Sequence, residues 1–204
     1  MRSALDSRLQ EITHGTLGAI HRCWSNYHLL AGINEVSKSN PVVIETHDDF
    51  FRQLWRTLFD QVLTTVAALL EDGKTSNSIP RAFVMIKRLK DAELVAMLPD
   101  LQRSLDAQAE VLARIVRWRH LVIAHHTEEG NDLNFQLPNR MTLAQLEAGL
   151  EALTVVVQAL ATHVLGAPSH IRSASLRYKT SVLRVAAAIT PQSMEEISGP
   201  SAAE

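Results

Sequence analysis

The chain has 204 residues, enough for one domain with a complete core, or one domain and a tail. Its 20 Lys and Arg against 22 Asp and Glu give a formal charge of −2. That excludes a bulk polycation, so any nucleic-acid surface has to be a local patch. Apolar residues at 46% exclude wholesale disorder, and few Gly (8), few Pro (7) and 5% aromatics argue for helices over a sandwich or barrel.

A first helix is expected from about Ser3 to Leu30, on Leu5, Leu9, Ile12, Thr16, Ala19 and Cys23, with Gly15 and Gly18 weakening it. Gly32 to Thr46, with Asn, Ser and Pro41, reads as a loop holding a short extended Val42–Ile44. From His47 to Leu70, Phe51, Trp55, Leu58, Val62, Thr65 and Leu69 mark one helical face, and Phe59, Leu63, Val66 and Leu70 widen it. So broad a stripe belongs to a helix with neighbours on more than one side. Ser78 is placed to cap the next helix, with Pro80 just inside it. A short turn or helix over Asp91–Met97 is expected to stop before Pro99, and a further helix to run from Asp100 to Ala124.

Thr142 and Gln145 form a capping-box pattern ahead of Leu143, Leu146, Leu150, Leu153, Val157, Leu160 and Val164, a bundle seam that Gly166 and Pro168 end. The expected architecture is an all-α, up-and-down bundle of four to five long helices over residues 1–168. Residues 169–204 read as a basic segment, with Arg172, Arg177, Lys179 and Arg184, and a polar, disordered tail.

One cysteine, Cys23, permits no internal disulfide and no Cys-based zinc site, and points to a reducing cytoplasm. The first residues lack the apolar stretch of a signal peptide, and no charge-free run of 18 apolar residues marks a membrane span. A cytoplasmic protein without a membrane partner is expected.

Nine histidines is a high number for this length. His14, His21 and His28 recur every seven residues, so they share a helix face about 10.5 Å apart along the axis, too far for one metal to join two of them. A surface or interface stripe is the expectation.

The segment Arg117–Asp132, RWRHLVIAHHTEEGND, is the unusual place. Leu101, Leu105, Gln108, Leu112 and Ile115 step by four, three, four and three, and the next step of four lands on Arg119. An arginine thus occupies a place patterned for an apolar side chain, and burying its charge unpaired costs several kcal/mol. It has to line a cleft, meet a carboxylate or face a polar interface, a core-edge acid such as Asp60 or Glu71 being one partner to expect. His125 lies about 120° from Arg119 on a straight helix, so the two converge only if the helix ends or distorts between them. His126, seven residues on, lies nearly beneath Arg119 on a continued helix. Geometry leaves both histidines open.

Arg119-His120, four residues and His125 resemble the motif of HEPN domains: arginine, a polar residue, a short spacer and histidine. Ala124-His125 before a charged loop, and the helix FFRQLWRTLFDQVLTTVAALLED followed by a polar loop and Ser-Ile-Pro, resemble the abortive-infection (AbiU-type) branch. The resemblance spans roughly residues 45 to 165. The chain departs from it at His126, where Arg or Lys is common, and Ala124 favours His125 as the active histidine.

The resemblance implies an all-α homodimer with the two motifs near its interface. It also implies a metal-independent endoribonuclease that needs no cofactor, as in many toxins and antiphage effectors, with RNA as substrate and room for an antitoxin or regulatory protein partner. In that reading Arg119 clamps phosphate and His125 is the acid/base. His120 and His126 assist, and Arg114 and Arg117 supply local positive charge for substrate, unless they are ordinary solvated helix charges. Two readings compete. One is a non-catalytic HEPN-like module binding RNA, a nucleotide or a protein. The other is a metal site of His120, His125, His126 and Glu128 or Glu129, which lacks the HExxH or ExxH pairing such sites use.

Overall fold

The computed structural model describes residues 2–73, 75–124, 141–166 and 171–190. Every regular element among them is helical: α1 (Arg2–Ser39), α2 (Pro41–Thr46), α3 (Asp48–Leu70), α4 (Ile79–Leu89), α5 (Ala92–Asp106), α6 (Ala109–Trp118), a wide π-helical turn (Arg119–Ala124), α7 (Leu143–Leu165) and α8 (Ile171–Ile189). The all-α bundle read from the periodicity is the observed fold class.

The 38 residues of α1, about 57 Å of helix, form the axis of the bundle. Helices α3, α4, α7 and α8 all pack on it, so its buried side chains circle the helix instead of lining one stripe. Leu9, Ile12, Ile20, Trp24 and Leu30 are among them.

The loop expected over Gly32–Thr46 is helical instead. Ile33 and Val36 are buried and carry α1 on to Ser39, and α2 follows Asn40 with Pro41 in its first turn, where a missing N–H is harmless. Gly32 is a contact point and not a terminator. A Cβ there would lie 2.9 Å from Val182 Cβ and 3.2 Å from the Lys179 carbonyl oxygen, because α8 crosses α1 closely at this position.

Helix α3 forms as its stripe predicts, with Asp48 and Asp49 in the first turn facing the positive end of the dipole. Ser78 stands at the N-cap of α4, but its hydroxyl pairs with Ser76 Oγ at 3.0 Å rather than with the helix.

The break expected at Pro99 is absent. Asp91 caps α5, its Oδ1 accepting from the N–H groups of Glu93 (3.1 Å) and Leu94 (3.2 Å). Leu98 and Leu101 are buried on either side of Pro99 and hold the helix through it. The chain turns instead at Ala107–Gln108, between α5 and α6. The capping box of α7 is complete: Gln145 N–H donates to Thr142 Oγ1 (3.2 Å), and Thr142 N–H donates to Gln145 Oε1 (3.0 Å).

Among the described residues α7 alone is long and apolar enough to cross a membrane. Its apolar face is core, however: Leu146, Leu150, Leu153, Val157 and Leu160 are fully buried. The basic segment, whose structure the sequence left open, is helix α8, with Ile171 and Ala186 buried and Val182 and Leu183 packed on the core. Helix packing therefore continues past residue 168. The polar tail expected at the C-terminus lies outside the described residues.

Candidate active site

The seam of α5 and α6 runs as the spacing predicts, with Leu101, Leu112 and Ile115 buried. Arg119 follows at the start of the wide turn. Arginine side chains lean back toward the helix N-terminus, and this one meets Glu71, the residue that ends α3. Arg119 Nη1 donates to Glu71 Oε1 at 3.2 Å, and the arginine side chain is 27% exposed. The misfit in the apolar pattern is resolved by an ion pair at the core edge, with Glu71 and not Asp60. Asp60 stands one turn from Arg56 on α3, with 4.0 Å between Asp60 Oδ2 and Arg56 Nε.

His120 completes a triangle. Its Nε2 is 3.3 Å from the same Glu71 oxygen, and its Nδ1 is 3.4 Å from Arg119 Nη1. The triangle closes with the proton on Nε2, which then donates to Glu71 while Nδ1 accepts from Arg119. His120 thus holds the arginine and its carboxylate.

The helix does distort between Arg119 and the motif histidine. The turn Arg119–Ala124 is π-helical, a widening that recurs at functional sites. His125 and His126 both lie outside the described residues, as do Glu128 and Glu129 of the alternative metal set. Among the described residues no three His, Cys, Asp or Glu side chains gather in a way that could hold a metal.

Arg114 pairs with Glu110 one turn back, Nη2 to Oε1 at 2.6 Å, and Arg117 is exposed on α6. Arg114 is therefore partly neutralised.

The histidine stripe is not a uniform surface. His14 is exposed and His21 intermediate, but His28 is 4% exposed, stacked on Trp24 at 5.5 Å under α8. The seven-residue repeat fixes a common face, and that face passes beneath α8 before its end. Cys23 is buried, and burial pushes its thiol up to about 12, so it supplies no thiolate nucleophile near neutral pH.

One feature escaped the sequence reading. Trp55 and Phe59, read as core, are only half-buried and stack on each other, with ring centres 4.8 Å apart and planes 16° apart. Across from them stands Trp118, the residue before Arg119. With Arg56, Asp60, Val122 and Ile123 they line a cleft of about 470 Å³. A smaller one of about 280 Å³ continues past the same three rings to Met141. The available signal was a stripe on α3 wider than its helical neighbours cover.

No curated protein and no solved structure matches this chain. Residues 2–181 match the family model HEPN_AbiU2 (AbiU2). With its all-α fold, its central helix and Arg119 at the start of a widened turn, the chain belongs to that family of HEPN modules, of the abortive-infection type.

Proposed function

We propose that the protein is a metal-independent endoribonuclease, acting in the cytoplasm as a homodimer. The observation that carries this reading is Arg119, an arginine held in a seam position by Glu71 and His120 at the start of a widened turn. A guanidinium presents five N–H donors, more than one carboxylate oxygen takes.

RNA brings its own nucleophile. The 2′-oxygen attacks the adjacent phosphorus, the P–O5′ bond breaks, a base removes the 2′-proton and an acid supplies one to the 5′-oxygen. Arg119 donates to the non-bridging oxygens, where charge grows in the transition state. His125 moves the protons, since imidazole titrates near neutral pH. Glu71 and His120 keep the guanidinium plane oriented. Arg117 adds positive charge for the strand.

The test is cleavage of RNA by purified protein in excess EDTA, with Arg119→Ala, His125→Ala and His126→Ala alongside. The expected result is products ending in 2′,3′-cyclic phosphate, and a fall of about 10²–10³-fold in the Arg119 and His125 variants. Loss only in His126→Ala moves the acid/base by one residue. Cleavage that EDTA abolishes overturns the mechanism.

The closed Arg119–Glu71–His120 triangle favours a second reading, a module that binds through this face without cleaving. Folded wild-type protein that binds several RNAs and cuts none would establish it.

A further inference from the structure

We infer that the cleft between Trp55, Phe59 and Trp118 is a nucleobase pocket that selects guanine. The inference rests on the ribonuclease reading and deepens it by naming a base that the bound strand presents to the same turn.

The turn that carries Arg119 also forms one wall of this cleft, through Val122 and Ile123, and Trp118 directly precedes Arg119. Arg119 itself does not line the cleft, and Glu71, which it meets, follows Asp60 by eleven residues along α3, about 16 Å, so a base held in the cleft belongs to a neighbouring nucleotide of the clamped strand. Two of the chain's three tryptophans border it. The third, Trp24, is fully buried with its indole N–H on Thr154 Oγ1 at 2.8 Å.

Single-stranded RNA is held by stacking unpaired bases on aromatic faces. Here Trp55 and Phe59 lie nearly parallel, and Trp118 lines the same cleft. The volume of about 470 Å³ falls within the range of small-molecule pockets, about 300–1,000 Å³. With so few aromatics in the chain an extended stacking platform is excluded, but one base needs only two faces.

The polar groups in the lining choose among bases. Arg56 and Asp60 sit one turn apart on α3, a donor fork beside an acceptor. Guanine presents O6 as an acceptor next to its N1–H and N2–H donors. Arg56 can donate to O6 while Asp60 accepts from N1 and N2. Adenine and cytosine turn an amino donor toward Arg56, and uracil offers O4 and N3–H but lacks the second donor that guanine N2 gives to Asp60. The Asp60 carboxylate has several acceptor positions, and its side chain is 36% exposed, so it can take a base while keeping its protein contacts.

Nucleosides test this without any cleavage. Guanosine, adenosine, cytidine and uridine are titrated into the full chain, and the three indole N–H signals are followed by NMR. Guanosine should shift the Trp55 and Trp118 signals and leave Trp24 in place. Asp60→Asn, an isosteric change whose effect on the core the Trp24 signal reports, should weaken guanosine about tenfold and leave adenosine unchanged. Phe59→Ala should weaken all four by about tenfold, with the Trp24 signal reporting that the core is intact.

No shift with any nucleoside at millimolar concentration overturns the inference. So does an equal response to all four, or signals that follow protein concentration instead of nucleoside, which would mean that a second copy of the chain covers the cleft. Guanosine binding without RNA cleavage overturns the nuclease reading alone. Cleavage by a protein that ignores guanosine overturns the pocket alone.

Discussion

Arg119 and Arg172 both pair with glutamate beside a histidine, and they are held in different ways. Arg172, on α8, gives Nη1 to Glu151 at 2.5 Å and Nη2 to Glu147 at 2.6 Å, both on α7. Its guanidinium also lies 5.2 Å from the centre of the Trp24 ring on α1. Tyr27 donates its hydroxyl to the other Glu147 oxygen at 2.9 Å. Three helices meet at this arginine, which closes the bundle over the buried His28. Arg119 meets one glutamate through Nη1, at the end of α3 and the start of a wide turn, beside an open aromatic cleft. An arginine whose two terminal nitrogens each hold a carboxylate is committed to the fold. An arginine oriented by one carboxylate keeps donor capacity for a ligand.

Replacing Arg119 with Lys gives the sharpest test of this contrast. The charge and the pair with Glu71 survive, so the melting temperature should change by less than a few degrees. The planar fork is lost, so cleavage should fall by about 100-fold. A fall in stability with activity retained would make Arg119 a structural arginine like Arg172.

The next largest effect lies on the other side. Gly32→Ala places a Cβ against Val182 and the Lys179 carbonyl, where backbone and a branched side chain cannot yield. Alanine is the better helix former by about 1 kcal/mol, yet the variant should lose about 1–3 kcal/mol in urea unfolding as α8 is pushed off α1. Gly18 on the same helix is the control. Its Cβ would approach only the mobile end of Arg22, at 3.5 Å, so Gly18→Ala should gain up to about 1 kcal/mol.

These positions also show what the sequence could disclose. Periodicity carried α3, α7 and the seam through Ile115, and it exposed Arg119 as the residue that breaks the seam. A core-edge acid was one expected partner, and Glu71 was among the examples the pattern suggested. Periodicity failed where a residue type has two uses. Gly32 and its polar neighbours read as a terminator, because nothing local reveals that α8 crosses there. Pro99 read as a stop, although buried Leu98 and Leu101 carry α5 past it. Trp55 and Phe59 read as core, because an apolar stripe does not say which of its members a neighbour covers. His28 read as part of a surface face, because the helix that buries it lies some 150 residues away in the chain.

That buried histidine gives the last test, through pH. Its pKa lies below the usual 6.5, first because burial disfavours the charged ring, then because Arg172 stands against it. Lys179, also on α8, acts in the same direction. Glu147 on α7 and a hydrogen bond with the Arg172 backbone oppose them. Its Nε2 has no hydrogen-bond partner among the described residues, so the neutral ring leaves that atom unsatisfied. In the unfolded chain the ring titrates near 6.5. Between the lower folded value and 6.5 the unfolded state therefore binds more protons. The stability this histidine contributes is fully present above 6.5 and is lost as pH falls toward the folded pKa. The slope cannot exceed one proton, about 1.4 kcal/mol per pH unit. Urea unfolding from pH 7.5 to 5 should show this decline, and His28→Phe, which keeps a ring on Trp24, should flatten it. An unchanged slope would mean that protonation elsewhere governs the acid response and that the lock around Arg172 tolerates a charged ring beneath it.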